Sequence, residues 1–126
     1  MLSTATLMGF AATADPAAAR QFYQSVLGLE LVEDGPYALV FAAHGTTLRV
    51  QKVEAVAPVP YTTLGWQVTD IATEVRQLVA RGVRFERYAG LPQDEHDIWR
   101  TPAGAMVAWF RDPDGNTLSL TEFHAG

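Results

Sequence analysis

The sequence predicts an α+β fold, with two βαβββ modules forming a curved mixed sheet around a cleft. Three observations carry this. Two stretches with the same helix signature start about 55 residues apart, close to half of the 126-residue chain. Each is preceded by one strand-like run and followed by three. Turn sequences fall between those runs. A unit that recurs at half the chain length reads as a duplication.

The helices come first. Asp15-Pro16 opens an Ala-rich stretch that ends at Gly28, and Asp70-Ile71 opens another that ends at Gly82. An Asp at the N-cap accepts hydrogen bonds from the free N–H groups of the first turn, and a terminal glycine tolerates the left-handed backbone that stops a helix. Pro16 suits the first helical position, where its missing N–H costs nothing. Both stretches carry an Arg-Gln pair before a large apolar residue: Arg20-Gln21-Phe22 and Arg76-Gln77-Leu78. Ala19, Phe22, Tyr23 and Val26 make one apolar stripe; Ile71, Val75, Leu78 and Val79 make the other.

The strand-like runs are 4–11, 29–34, 37–42 and 46–53 in the first half, then 61–68, 83–88, 105–111 and 117–123 in the second. Glu33-Asp34-Gly35-Pro36 and Asp112-Pro113-Asp114-Gly115-Asn116 supply turn residues between runs. The chain is therefore expected to be one domain, 1–126, with module one at 1–57, a Pro58-Val59-Pro60 linker at 58–60, and module two at 61–126.

Strand faces carry the functional information. Leu48 and Val50 alternate with Thr47, Arg49 and Gln51; Leu118 and Leu120 with Thr117, Ser119 and Thr121; Leu64, Trp66 and Val68 with Thr63, Gly65 and Gln67. The apolar set can pack on its module's helix. The small polar set either meets bulk water or lines a cleft, and periodicity favours neither. In the first run Thr6, Met8 and Phe10 share a face. If that face joins the cleft, the cleft is part apolar and part hydrogen-bonding, as ligand pockets are.

Composition removes several classes. Nine basic residues are scattered against 14 acidic ones, for a net charge of −5. No Lys/Arg cluster tracks a phosphate backbone or an anionic membrane, so neither nucleic acid nor membrane is expected as a partner. The chain has no cysteine, which excludes disulfides and thiol nucleophiles. Ala12-Thr13-Ala14 resembles a leader-peptide cleavage site, but no Lys or Arg precedes it, so a cytoplasmic location is expected.

Ala19-Arg20-Gln21-Phe22-Tyr23 with Val26-Leu27-Gly28-Leu29 resembles the first helix of the vicinal oxygen chelate superfamily. That group holds glyoxalase I, bleomycin-resistance proteins, fosfomycin-modifying enzymes and extradiol dioxygenases. Phe110-Arg111-Asp112-Pro113-Asp114-Gly115-Asn116 followed by Leu118 is similar to its C-terminal hairpin. The resemblance implies the paired βαβββ fold, a binding groove that commonly forms between two subunits, and hence a homodimer. It also implies a metal ligand on each of four strands, at positions that fall here on Met8, Arg49, Thr63 and Ser119. A thioether, a guanidinium and two neutral hydroxyls make a poor set for a divalent metal. No metal and no other cofactor is therefore expected.

Arg49 is the residue of greatest interest. Facing a cleft, it would hold a carboxylate, phosphate or enolate bidentately; otherwise it pairs with a nearby Asp or Glu, or is simply exposed. The connection 89–104 is long enough for a lid and carries His96 and Trp99. Trp99 could close over an apolar ligand or anchor the loop. His96, between Glu95 and Asp97, could act as a general acid or base, or sit in a solvated acidic loop. The histidines lack HxxxH or HxH spacing. The expected ligand-binding residues are Thr6, Met8, Phe10, Arg49, Gln51, Thr63, Gln67, Trp99 and Ser119, with Trp109 as an alternative wall. Three functions compete: a metal-independent protein that binds or sequesters an aromatic or anionic small molecule; a metal-independent isomerase, lyase or hydrolase that uses Arg49 for an anionic intermediate and His96 for proton transfer; and, last, a divalent-metal glyoxalase or dioxygenase.

Overall fold

The computed structural model describes residues 1–124. The chain divides into two compact units, Met1–Pro58 and Val59–Gly126. Each holds its own four-stranded sheet, where the sequence predicts one curved sheet. None of the helices among the described residues is long and apolar enough to cross a membrane.

In the first unit β1 is Met8–Thr13, β2 Glu30–Asp34, β3 Ala38–Ala43 and β4 Thr46–Lys52, in the order β1-β4-β3-β2. The meander β2-β3-β4 is antiparallel and brings β4 back beside β1, which it pairs in parallel. Helix α1, Pro16–Arg20, makes the crossover and continues as a π-helical segment, Gln21–Val26. The π segment is not foreseen by the apolar stripe. It buries Tyr23 against Phe41, with ring centroids 5.6 Å apart. Leu39, Phe41, Leu48 and Val50 complete the core on that face. Strand β1 begins at Met8, not at residue 4, because its register starts at Met8 opposite Thr47, near the start of β4. The residues before it turn instead as a 3-10 segment, Leu2–Thr4.

The second unit repeats the plan. Here β5 is Thr62–Gln67, α2 Ile71–Ala80, β6 Trp99–Arg100, β7 Met106–Arg111 and β8 Thr117–Glu122, in the order β5-β8-β7-β6. Ile71, Val75 and Leu78 of α2 are buried, whereas Val79, expected on that stripe, is exposed. Phe85 and Phe110 pack together in the core, and the part-buried Trp66 stacks on Phe110.

The run 83–88 departs from the prediction. Only Phe85 bridges β7, at Phe110, and the two-residue strand β6 takes the edge position further along. The Gln93 side chain explains this. Its carbonyl accepts from Tyr88 N–H at 2.7 Å, and its amide donates to the carbonyls of Glu86 and Asp97, each at 2.9 Å. One side-chain amide thus satisfies backbone groups that a strand would satisfy by pairing.

Both helix caps form as predicted. Asp15 accepts from Ala18 N–H and Asp70 from Thr73 N–H, each at 3.2 Å. The hydroxyl of Thr73, then its N–H, hold the Asp70 carboxyl below its ordinary value. A hydrogen bond from Lys52, with Arg20 adding to it, does the same for Asp34. Groups lowered on folding stabilise the native state above the usual carboxylate range, and that contribution fades as pH falls through their folded values. Melting temperature is expected to drop on acidification below about pH 4. In Asp70→Asn, whose amide oxygen still caps but does not titrate there, that drop should be shallower. An identical acid profile in the two proteins would refute a role for Asp70.

Candidate functional site

The face of the first sheet opposite its core carries Met8 and Phe10 of β1, Thr47, Arg49 and Gln51 of β4, and Val40 of β3. Strand register sets these neighbours: Arg49 lies between Phe10 and Val40. Met8 and Phe10 are 43% and 50% exposed, so neither is a core residue. Gln51 is exposed and Arg49 is half-buried. Glu33 opposes Val40 and so shares this face, but it sits two strands from Arg49, about 10 Å away at normal strand spacing. Among the described residues the Arg49 guanidinium has no ion pair and no hydrogen bond. Neither a structural ion pair nor simple exposure describes it. Thr6, expected on this face, precedes β1 and is exposed.

The equivalent face of the second sheet carries Gly65 and Gln67 of β5, Ser119 and Thr121 of β8, and Trp109 of β7. Trp99, for which closing over a ligand and anchoring the loop were both open, lies in β6 and stacks on Trp109 at 6.0 Å. Tyr88 meets Trp109 edge to face at 5.4 Å. Ser119 is only 7% exposed, and its hydroxyl has no hydrogen bond among the described residues. A Cβ on Gly65 would lie 2.8 Å from that oxygen, so the glycine makes the room it occupies. Gln67 is exposed. Thr63 is exposed at a register shift, and its hydroxyl donates to the Thr117 carbonyl at 3.1 Å. A depression of about 250 Å³ opens here, lined by Pro60, Tyr61, Thr62, Tyr88, Trp109 and Thr117. Apart from Trp109, and Thr117 on the polar face of the last run, these residues escape the sequence reading. Tyr88 lies in the run expected to be a strand, and Pro60 in the linker.

His96 is not brought to that face. It lies with Glu95 and Asp97 over Val75, Arg76 and Val79 of α2, in a second depression of about 370 Å³. Helix α2 packs on the other side of the sheet, where Glu122 accepts from Ile71 N–H at 2.9 Å. The loop is ordered from within by Asp94, which accepts from the N–H groups of His96 and Ile98. Segment 89–104 is thus pinned by Gln93, Asp94 and β6, and is not a free lid. His96 Nε2 stands 3.8 Å from Glu95. Of the two readings of His96, this placement agrees with the acidic loop and sets the side chain apart from the Trp109 face.

The four positions implied for a metal can now be tested on their chemistry. Met8 offers a thioether, Arg49 a cation, and Thr63 a hydroxyl already donating to a carbonyl. Ser119 offers a neutral hydroxyl. None is a good donor to a divalent ion, and Arg49 repels one. No group of three or more His, Asp or Glu side chains suited to a metal occurs among the described residues. The donor set does not fit the group.

The chain is similar over nearly its whole length to solved structures. A member of the glyoxalase/bleomycin resistance protein/dioxygenase superfamily from Sphaerobacter thermophilus DSM 20745 is 25% identical, with 98% of this chain and 100% of that one covered at a TM-score of 0.76. TnmS3, an antibiotic binding protein from Streptomyces sp. CB03234, is 22% identical, covering 98% and 99% at 0.73. Lactoylglutathione lyase from Agrobacterium tumefaciens is also 22% identical, covering 94% and 93% at 0.73. No functionally curated protein matches. A family model matches residues 7–120, and the chain belongs to the Glyoxalase/Bleomycin resistance protein/Dioxygenase superfamily.

Proposed function

We propose that this protein binds an anionic aromatic small molecule without a metal ion. The observation that carries the reading is Arg49: a half-buried guanidinium with no ion pair or hydrogen bond among the described residues, beside the half-exposed ring of Phe10. Partly desolvating a charge is unfavourable unless something pairs with it, and a carboxylate or sulfonate on a ligand does so. Phe10 and Met8 then supply contact for the ligand's ring. The similarity to an antibiotic binding protein agrees with a binding role. The family resemblance alone supports extending the reading to a homodimer.

The test uses two fluorescent probes, 8-anilinonaphthalene-1-sulfonate and N-phenyl-1-naphthylamine, which differ only by the sulfonate. Saturable binding of the first is expected, at least about tenfold tighter than the second, because a hydrogen bond to a charged group contributes about 1.5–3 kcal/mol. Equal affinity would remove anion recognition from the account.

A further inference from the structure

We propose that the depression over α2 is a binding site for a free α-amino acid with an apolar side chain. It lies on the side of the second sheet away from Trp109. It is independent of Arg49, since every lining residue belongs to the second unit. The floor is apolar. Val75 and Val79 stand one helical turn apart on α2, and helical spacing makes them neighbours; Val75 is buried and Val79 is 54% exposed. Arg76, three residues before Val79, borders the same strip. The opposite wall is the loop that carries Glu95, His96 and Asp97. Asp94 orders that loop by accepting from the N–H groups of His96 and Ile98, and Ile98 is buried. A wall ordered before the ligand arrives lowers the entropic cost of binding. The volume, about 370 Å³, stands near the lower end of the roughly 300–1,000 Å³ of ligand pockets, which suits a small molecule.

Charge selects the class of ligand. Asp97 is met within the protein, by Arg87 at 3.3 Å. Arg76 donates to the Thr73 hydroxyl at 3.2 Å and makes no ion pair among the described residues, so its other N–H groups can serve a carboxylate. Glu95 approaches the His96 ring at 3.8 Å, and among the described residues no lysine or arginine pairs with it. One cation on the helix and one anion on the loop are thus left to a ligand, with the valines between. A ligand of single charge would meet one of them as an opposite and the other as a like charge. A zwitterion meets both as opposites, with its carboxylate at Arg76 and its ammonium at Glu95. An internal peptide residue carries neither group, and a C-terminal one carries only the carboxylate. The apolar side chain then covers Val75 and Val79.

The probe is L-leucine, titrated into the full chain and followed by saturation-transfer NMR. Two analogues each lack one charge: 4-methylpentanoate has no ammonium, and 3-methylbutylamine has no carboxylate. L-leucine is expected to bind with a dissociation constant of about 1 mM, and each analogue about fivefold or more weakly. Arg76 and Glu95 are both exposed, so neutral substitutions there should spare the fold. Arg76→Gln should weaken L-leucine about fivefold and strengthen 3-methylbutylamine, because the like charge is gone. Glu95→Gln should weaken L-leucine to the same extent and strengthen 4-methylpentanoate. A loss of structure would strengthen neither analogue, so these opposite changes separate recognition from folding. Absence of saturable L-leucine binding, an analogue that binds as tightly as L-leucine, or an unchanged order of affinities in both variants would each overturn the proposal. Leucine binding in a protein that ignores the sulfonate probe would leave this site standing and remove the Arg49 reading.

Discussion

Arg49→Ala is expected to lose at least about tenfold, and up to roughly a hundredfold, in affinity for 8-anilinonaphthalene-1-sulfonate, as follows from about 1.5–3 kcal/mol for a charge-assisted hydrogen bond. The variant's thermal stability should stay within about 1 kcal/mol of wild type. The two halves of that expectation belong together. A guanidinium held by a structural ion pair would leave a buried carboxylate behind when removed and would cost stability. Arg49 has no such partner among the described residues, so its removal takes away a half-buried charge and some packing by its stem, which act in opposite directions. Arg49→Lys keeps the charge but not the planar two-pronged geometry, and should recover part of the affinity. A large fall in melting temperature in Arg49→Ala, with probe affinity intact, would reassign the residue to the fold.

The largest effect on stability is expected at Asp112. This side chain is 6% exposed and organises the turn between β7 and β8. Its Oδ1 accepts from the N–H groups of Asp114 and Asn116 at 3.0 and 2.9 Å, and its Oδ2 from the Asn116 amide at 2.7 Å. Asp112→Ala removes these three bonds and leaves their donors in a largely buried turn. A cost of about 3 kcal/mol follows, or roughly 10 °C in melting temperature for a chain of this size. Asp112→Asn retains acceptor capacity and should lose less. A shift of under about 2 °C in Asp112→Ala would mean that Pro113 and Gly115 hold the turn by themselves.

The turn and the helix caps were legible because their physics is local. Asp15 and Asp70 cap residues three positions away, and Gly28 and Gly82 stop their helices with φ of 77° and 94°. The alternation along β4 likewise named the buried side of that strand, Leu48 and Val50, since side-chain direction in a strand depends only on parity; in β8 the polar Thr117 and Ser119 are buried along with Leu118 and Leu120. What escaped was set by distant parts of the chain. Residues 83–88 have a strand's pattern, but the Gln93 amide occupies their hydrogen-bonding groups, and no period reveals that a side chain will do so. The π-helical segment shows the apolar stripe of an α-helix in sequence, and it is the wider hydrogen bonding, such as Leu27 N–H to the Phe22 carbonyl at 2.9 Å, that distinguishes it.

The candidate site divides in the same way. Strand parity put Arg49, Phe10 and Met8 on one face, but whether Arg49 had a partner depended on how far away Glu33 lay. His96, flanked by two acids, could be read in sequence as an acid–base group or as part of an acidic loop, and the structure places it over α2 in a loop ordered from within by Asp94. Tyr61 and Tyr88 were not legible as neighbours of Trp109, and line a depression with it only because β5 and β7 bring the adjoining segments together.

Metal-independent recognition is tested most directly by titrating 8-anilinonaphthalene-1-sulfonate into chelator-treated protein, then repeating the titration with added Ni²⁺, Zn²⁺ or Mn²⁺. The account predicts saturable binding by the metal-free protein, with an affinity that the ions leave unchanged. Binding that appears only once a divalent ion is restored would contradict it.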